Sequence, residues 1–268
     1  MRISHRPLTA VLPMMGVVLM ALKGHSFVLT NYSLEKQSTE EIPNSLGHYL
    51  YFIVAPTLLY ELAYPRTKTI RLSYVVQLTV PMLICFGLMY VIMMQFVNPI
   101  LSDTTSNIIY RIFRCSLSAF LIWLLLFFSV FHCALNLLAE LTMFGDRLLY
   151  EDWWNATTML EFWKKWNGPI HYWCLRHVYV ETQVYGNWSK PLASLATFMV
   201  SGIAHELVCS VVFRKLSLYF FLGMVVQLPL QLVSKYFENT RVGNMIMWVS
   251  LFLGQPLLEV RNLWELRM

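Results

Sequence analysis

Residues 192–213 read LASLATFMVSGIAHELVCSVVF, an apolar run that contains one adjacent pair of ionisable side chains, His205 and Glu206. A helix of about 20 residues crosses the hydrocarbon core of a bilayer. Because a charged side chain at the centre of such a helix costs about 2.5–3.5 kcal/mol, the pair favours a functional site within a membrane span. A histidine that only hydrogen-bonds neighbouring helices together is the structural alternative.

Other segments of the chain are also apolar and long enough to be membrane spans. They are 8–22, 72–98, 115–143, 217–234 and 244–260. The first is followed by Lys23 without a small-residue cleavage site, so we expect a retained span and not a signal peptide. The segment 48–64 contains Pro56, which favours a re-entrant or interfacial placement. The sequence thus predicts an all-α fold, a polytopic transmembrane helical bundle of about six spans.

The composition supports a single membrane-embedded domain over residues 1–268. Hydrophobic residues make up 57% of the chain and charged residues 13%, too little polar surface to cover a soluble globule. The formal charge of +5 is not gathered into long basic runs, so we expect no nucleic-acid partner. The five cysteines form no CxxC pair, which favours reduced, structural thiols and gives no basis for a metal site.

The distribution of charge predicts an orientation. With six spans, the loops 23–71, 144–191 and 235–243 lie on one side and carry a modest majority of the 20 Lys and Arg residues. Because basic loops stay cytosolic, we expect the 144–191 loop to face the cytosol. Its tryptophans recur at helical spacing, which predicts amphipathic helices in the interface. Those tryptophans could serve as interface anchors alone.

Helical geometry sorts the polar residues of the spans into faces. Ser201 lies four residues before His205 and shares its face, whereas Glu206 is rotated by about 100°. Glu206 is therefore not automatically the partner that orients His205. Gln227, with Met224 one turn before it, and Gln255 are amides in apolar surroundings that need partners or line a wet cavity. Hydrogen bonding between helices is an equally good explanation of both glutamines.

Three ordered motifs stand at residues 149–155 (LYEDWWN), 162–171 (FWKKWNGPIH) and 201–206 (SGIAHE). Together they resemble the motifs of the acyl-CoA acyltransferases in the membrane-bound O-acyltransferase superfamily. Residues 149–155, LYEDWWN, resemble the FYxDWWN motif, with Leu149 where the motif has Phe. The matching motif residues are Tyr150, Asp152, Trp153, Trp154 and Asn155. Residues 162–171, FWKKWNGPIH, match the WNxPxH segment, and residues 201–206 match the SxxxHE helix. The surroundings of Gln227 and Gln255 resemble the type 1 diacylglycerol branch, since the sterol branch usually has Asn there.

The resemblance covers about residues 20–258 and only the C-terminal part of a typical family member, and it implies specific roles. His205 would act as general base, and Asn167 would hold the thioester or its oxyanion. Gln255 would line the acyl-CoA site, and the acceptor pocket would contain Glu206, Met224 and Gln227. Further substrate contacts would come from Ser201, His171, Trp163 and Trp166. Without the motif, Asn167 before Gly168 is an ordinary turn residue, and Asp152 is better explained as a brace of its loop than as a reacting group.

The implied enzyme is a multi-pass protein of the endoplasmic reticulum membrane that needs no cofactor, with acyl-CoA as a substrate. Its partners would be acyl-CoA, diacylglycerol or another lipid alcohol, and membrane lipid; a homo-oligomer is left open. Esterification of a sterol is an alternative within the same class. A catalytically silent family member, which lacks the usual N-terminal region, is an alternative outside it.

Overall fold

The computed structural model describes residues 7–37, 45–103 and 105–265, in which the regular secondary structure is helical. The α-helices are α1 (Pro7–Gln37), α2 (Leu46–Val54), α3 (Leu72–Ile92), α4 (Asn98–Ser102), α5 (Ile108–Phe127), α6 (Leu135–Leu141), α7 (Met159–Trp166), α8 (Gly168–Cys174), α9 (Glu181–Val184), α10 (Lys190–Phe213), α11 (Tyr219–Lys235) and α12 (Arg241–Glu265). Several are joined by π-helical turns at Met93–Val97, Phe128–Ala134 and Leu175–Val180, and a 3-10 turn covers Trp153–Asn155.

Four helical stretches among the described residues are long and apolar enough to cross a membrane. They are Ala10–Lys36, Leu72–Ser102, Ile109–Leu141 and Lys190–Phe213. These stretches agree with the predicted all-α membrane class. The predicted spans 217–234 and 244–260 coincide with α11 and α12. That these two helices also cross the bilayer stays a prediction.

The first helix is longer than predicted, because it continues past Lys23 to Gln37. Lys23 is therefore a buried residue in a span and not the start of a loop. Its ammonium group donates hydrogen bonds to the carbonyl oxygens of Phe52, at 2.6 Å, and Ala55, at 2.7 Å. The Phe52 carbonyl has no helical donor of its own, because Pro56 carries no N–H. The lysine thus satisfies the open end of α2, which explains how a charge is tolerated inside α1.

The chain divides into two compact units. The first comprises Met1–Lys68, Thr142–Leu148 and Gly168–Val225. In this unit α10 packs against α1 and against the π-helical turn Leu175–Val180. The helix α10, which carries His205, is thus held by α1 and by this turn.

A short antiparallel bridge between Arg66 and Phe144 joins two distant segments of the first unit. The Gly145 N–H donates to the Pro65 carbonyl oxygen at 2.7 Å. A Cβ atom on Gly145 would lie 3.0 Å from that same oxygen, so a glycine is favoured where the two backbones approach.

The second unit comprises Thr69–Leu141, Leu149–Asn167 and Val226–Met268. Here α5 packs along α12, and α3 packs against α5 and the π-helical turn Phe128–Ala134. The backbone N–H of Arg71, at the start of α3, donates to the fully buried carboxylate of Glu140 at 2.7 Å, and the guanidinium of Arg71 adds two further bonds. This pairing caps α3 and satisfies a buried charge at the end of α6.

Candidate active site

The predicted face of α10 is present in the structure. His205 is exposed, and its Nδ1 lies 2.7 Å from the carbonyl oxygen of Ser201 one turn earlier. Because a carbonyl oxygen can only accept, Nδ1 carries the proton of the neutral ring and Nε2 carries the lone pair. The imidazole is held by its own helix and presents a basic nitrogen away from it.

The neighbouring Glu206 lies on a different face of α10 and is buried. Its two carboxylate oxygens accept backbone N–H bonds of 2.8–3.2 Å from the start of α11, donated by Ser217, Leu218, Phe220 and Phe221. The Ser210 hydroxyl adds a longer bond of 3.3 Å. These donors include first-turn N–H groups that no helix satisfies internally. Glu206 therefore acts as the cap that fixes α11 to α10, and direct contact with an acceptor stays a prediction.

Gly202 lies one turn before Glu206, on the same face of α10. A Cβ atom on Gly202 would lie 3.1 Å from the Phe221 ring and 3.4 Å from Met224 Cβ. The glycine thus lets α11 approach α10 closely, and Met224 is buried in this contact. The SGIAHE sequence therefore has two faces: Ser201 and His205 form the open one, and Gly202 and Glu206 form the packed one.

The LYEDWWN segment belongs to the second unit and forms part of its core. Trp153 is 2% exposed and packs with Trp123, Phe127 and Phe162, whereas Trp154 is 43% exposed. Trp153 is therefore a core residue, and its interpretation as an interface anchor was wrong. Trp166 is also part of the cluster, with its ring stacked 4.8 Å from that of Trp123.

Charged groups brace the same segment. Lys165 Nζ lies 2.7 Å from an Asp152 oxygen and 2.9 Å from a Glu161 oxygen. The bond from Lys165 lowers the pKa of Asp152. Burial acts to raise the pKa of Glu161, but the bonds from Lys165 and Thr157 outweigh it and lower that pKa. The Lys165 pKa is raised in return, mainly by Asp152. The geometry supports the expectation that Asp152 braces its loop.

A hydrogen bond from a membrane span also reaches this segment. His132, in the π-helical turn Phe128–Ala134, has Nδ1 2.8 Å from the Tyr150 hydroxyl oxygen. Its ring stacks on Phe128 with centroids 4.7 Å apart. Burial raises the pKa of Tyr150, which keeps the phenol neutral. The sequence-based reasoning overlooked His132, although it is an ionisable residue in an apolar run just as His205 is.

Further residues that the sequence reasoning missed attach α11 and α12 to the segment that follows the motif. Asn244 Nδ2 donates to the carbonyl oxygens of Trp154 and Ala156, each at 2.9 Å. The Met159 N–H donates to Ser234 Oγ at 3.1 Å. Gly243 leaves room for the Thr157 carbonyl, which a Cβ atom would strike. An Asn or a Ser near a helix end gives no signal of a partner that lies 75 or more residues away.

The first unit contains a polar chain of its own. His177 Nε2 lies 2.9 Å from Ser26 Oγ, and its Nδ1 lies 3.4 Å from Glu181. This order resembles a serine, histidine and carboxylate triad. However, Ser26 is fully buried and also accepts the Tyr60 N–H. A nucleophile must be accessible to its substrate. These hydrogen-bonded residues are therefore a structural contact that holds α1 to the turn at Leu175–Val180.

Comparison with known proteins gives the family. The model described as MBOAT, membrane-bound O-acyltransferase family, matches residues 17–260. The chain belongs to the membrane-bound O-acyltransferase family.

The chain is also similar to proteins named diacylglycerol O-acyltransferase. The 1C form of Glycine max is 38% identical over 275 residues, which is 90% of this chain and 53% of the relative. The 1-2 form of Oryza sativa subsp. japonica is 40% identical over 263 residues, 88% of this chain and 55% of the relative. Diacylglycerol O-acyltransferase 1 of Bos taurus is 36% identical over 230 residues, 82% and 47% respectively. The chain spans about half the length of the curated relatives it matches.

The remaining predicted site residues of this membrane-bound O-acyltransferase lie in both units. Asn167 ends α7 in the second unit, whereas Ser201, His205 and Met224 lie in the first. His171 lies on α8. The Gln255 side chain lies outside the described residues. That Asn167 and His205 share one site stays a prediction.

Proposed function

We propose that the chain is an acyl-CoA-dependent diacylglycerol O-acyltransferase of the endoplasmic reticulum membrane. Family membership supports acyl transfer to an oxygen, and relatives at 36–40% identity are named for the diacylglycerol reaction. The substrates are acyl-CoA and diacylglycerol, and no cofactor takes part. The four helical stretches of spanning length support the proposed multi-pass arrangement.

One observation carries the chemistry: the Nδ1 contact of His205 with Ser201 leaves Nε2 as the basic nitrogen. An alcohol needs a positioned base because its own pKa is far above neutrality, and imidazole suits that task. Nε2 removes the hydroxyl proton as the alkoxide oxygen attacks the thioester carbonyl. The new C–O bond forms, the C–S bond breaks, and the CoA thiolate leaves with the proton that His205 returns. No acyl-enzyme intermediate is required.

Asn167 supplies the second catalytic function in this proposal. The tetrahedral intermediate carries a negative oxygen, and an amide N–H held in place beforehand stabilises that charge. Asn167 stands at the end of α7, with φ −145° and ψ 89°, outside the helical conformation. Asn167 therefore stands at the end of a helix that packs in the aromatic cluster and is bridged through Lys165.

The acceptor is assigned from α11. The structure leaves Gln227 Oε1 and Gln231 Nε2 buried without a described hydrogen-bond partner, one turn apart on the helix. Unpaired buried amide groups are costly and call for a polar ligand beside them. Diacylglycerol presents ester carbonyl oxygens that can accept amide N–H bonds, beside the hydroxyl whose proton goes to His205, whereas a sterol has its hydroxyl alone. Further contacts in this proposal come from Met224, Ser201, His171, Trp163, Trp166 and Gln255.

The test is product analysis with labelled acyl-CoA and microsomes that contain the chain. Diacylglycerol, a sterol and a long-chain alcohol are offered in parallel, with microsomes lacking the chain as control. The proposal expects triacylglycerol as the main new product. Steryl ester as the sole product would show that the acceptor is a sterol and not diacylglycerol. No ester above the control would support a catalytically silent protein.

A further inference from the structure

His132 bridges a membrane span and the segment that leads to Asn167. Its ring is half-buried in the stretch Ile109–Leu141, and its Nδ1 meets the Tyr150 hydroxyl at 2.8 Å. A polar side chain inside a span is costly and persists where it has a partner and a use. Here the partner lies 18 residues further along the chain, in the LYEDWWN segment. The hydrogen bond therefore fixes this segment to the span.

The π-helical turn Phe128–Ala134 makes a second contact with the residues that lead to Asn167. Such a turn inserts an extra residue into a helix and changes which side chains face a neighbour. Phe131 and His132 are consecutive in this turn. The Phe131 ring lies 5.4 Å from Trp166, while His132 reaches Tyr150. The same turn thus contacts both ends of the stretch 150–166: Tyr150 through a hydrogen bond and Trp166 through a ring contact.

Backbone geometry connects the two ends to each other. The Glu151 N–H donates to the Lys165 carbonyl oxygen at 2.8 Å, so the residue after Tyr150 is tied to the last turn of α7. Trp166 follows Lys165 and stacks on Trp123. Asn167 comes next in the chain. One hydrogen bond and the adjoining backbone therefore connect Tyr150 to the residue that carries the proposed oxyanion donor.

We propose that His132 is a positioning residue that sets the place of Asn167 through Tyr150 and the bridge from Glu151 to Lys165. The inference rests on the proposed function for its kinetic consequence, but its structural part stands without it. His132 does not touch the reacting atoms. A small misplacement of a catalytic group lowers the rate of the chemical step more than it lowers substrate affinity.

Two substitutions at His132 separate loss of the hydrogen bond from loss of the ring. His132→Ala removes both, and His132→Asn keeps a polar atom near the position of Nδ1. Tyr150→Phe removes the other partner, with Tyr90→Phe as control because Tyr90 is exposed on α3. We expect His132→Ala and Tyr150→Phe each to lower kcat about tenfold, the value of one hydrogen bond, with KM for acyl-CoA within about twofold. His132→Asn should keep most of the wild-type kcat.

The decisive kinetic measurement is a double-mutant cycle with Asn167→Ala, followed by radiolabelled product. If His132 acts through Asn167, adding His132→Ala to Asn167→Ala lowers the residual rate by less than about twofold. A full tenfold loss in the Asn167→Ala background would overturn the proposal, because a general loss of folded protein multiplies in both backgrounds.

Hydrogen exchange tests the positioning without any turnover. We expect His132→Ala to speed exchange of the amides in 149–167, the Glu151 amide above all, while exchange in α10 stays unchanged. Unaltered exchange in 149–167 would refute the positioning role. A wild type without transfer activity, combined with faster exchange in His132→Ala, would instead reject the proposed function and leave the positioning role intact.

Discussion

Two of the histidines in the apolar spans of this protein, His205 and His132, differ in their hydrogen bonds. His205 on α10 bonds to the carbonyl oxygen of its own helix, four residues back, and is exposed. His132 bonds to a side chain of another segment and is stacked on Phe128. A ring bonded to its own helix leaves its outer nitrogen open, while a ring bonded to another segment holds that segment in place. We therefore expect the hydrogen-bond partner, more than membrane burial, to distinguish a reacting histidine from a structural one.

The largest effect should come from His205→Ala. Loss of a general base lowers acyl transfer by about 10²–10⁴-fold. Because the ring is exposed and bonded within its helix, the mutant should fold and insert as the wild type does. The measurement is the initial rate of product formation per amount of monodisperse purified protein. Near-normal turnover would remove the contrast between the two histidines.

Glu206→Ala should have the next largest effect, and it should be on stability. The substitution leaves the α11 N–H groups of Phe220 and Phe221 and the preceding Ser217 and Leu218 amides without their acceptor. We expect the free energy of unfolding to fall by about 3 kcal/mol, a melting temperature lower by about 6–12 °C. Glu206→Gln, which keeps one carbonyl oxygen, should lose about half as much. A melting temperature unchanged in Glu206→Ala would show that these bonds do not hold α11.

Gln227→Leu should change the products more than the overall rate. The substitution removes a buried amide group that we assign to the acceptor pocket, so triacylglycerol should fall about tenfold relative to wax ester at equal acyl-CoA. Gln77→Leu is the matched control, since Gln77 is exposed on α3. An unchanged product ratio in Gln227→Leu would exclude Gln227 from the acceptor site.

Lys165→Met should have the smallest effect, a loss of about 1 kcal/mol or less, since exposed ion pairs are screened by solvent. The folded state lowers the pKa of Asp152 and Glu161, so their contribution is present above their ordinary pKa values and is lost as pH falls through the lowered ones. The melting temperatures of wild type and mutant should therefore differ at neutral pH and converge on acidification. A difference that persists in acid would point to packing of the lysine stem.

Much of the local structure followed from the pattern of the sequence. The spacing of Ser201, His205 and Glu206 predicted which side chains share a face of α10, and the structure confirms both the shared face and the separate direction of Glu206. Long apolar runs predicted the helices, because a backbone in lipid must satisfy its own hydrogen bonds. These inferences depend on contacts within one helix, which a single sequence contains.

Long-range partners could not be predicted in the same way. The pattern predicts an end of α1 that is too early, because a lysine is expected to lie in water, whereas the partner of Lys23 is the Phe52 carbonyl, which Pro56 leaves open 29 residues later. The donors to Glu206 are backbone N–H groups, which no side-chain pattern reveals. Trp153 is a core residue because rings of α5 surround it. His132 is different, since the rule that indicated His205 applied to it equally.

We expect acyl transfer to depend on the open basic nitrogen of His205. Diethyl pyrocarbonate acylates neutral imidazole nitrogens, and peptide mass spectrometry can follow each histidine while product formation is measured in the same samples. We expect His205 to be modified before the half-buried His132, activity to fall in step with His205 modification, and hydroxylamine to restore both. Transfer that continues after complete modification of His205 would show that His205 is not the general base.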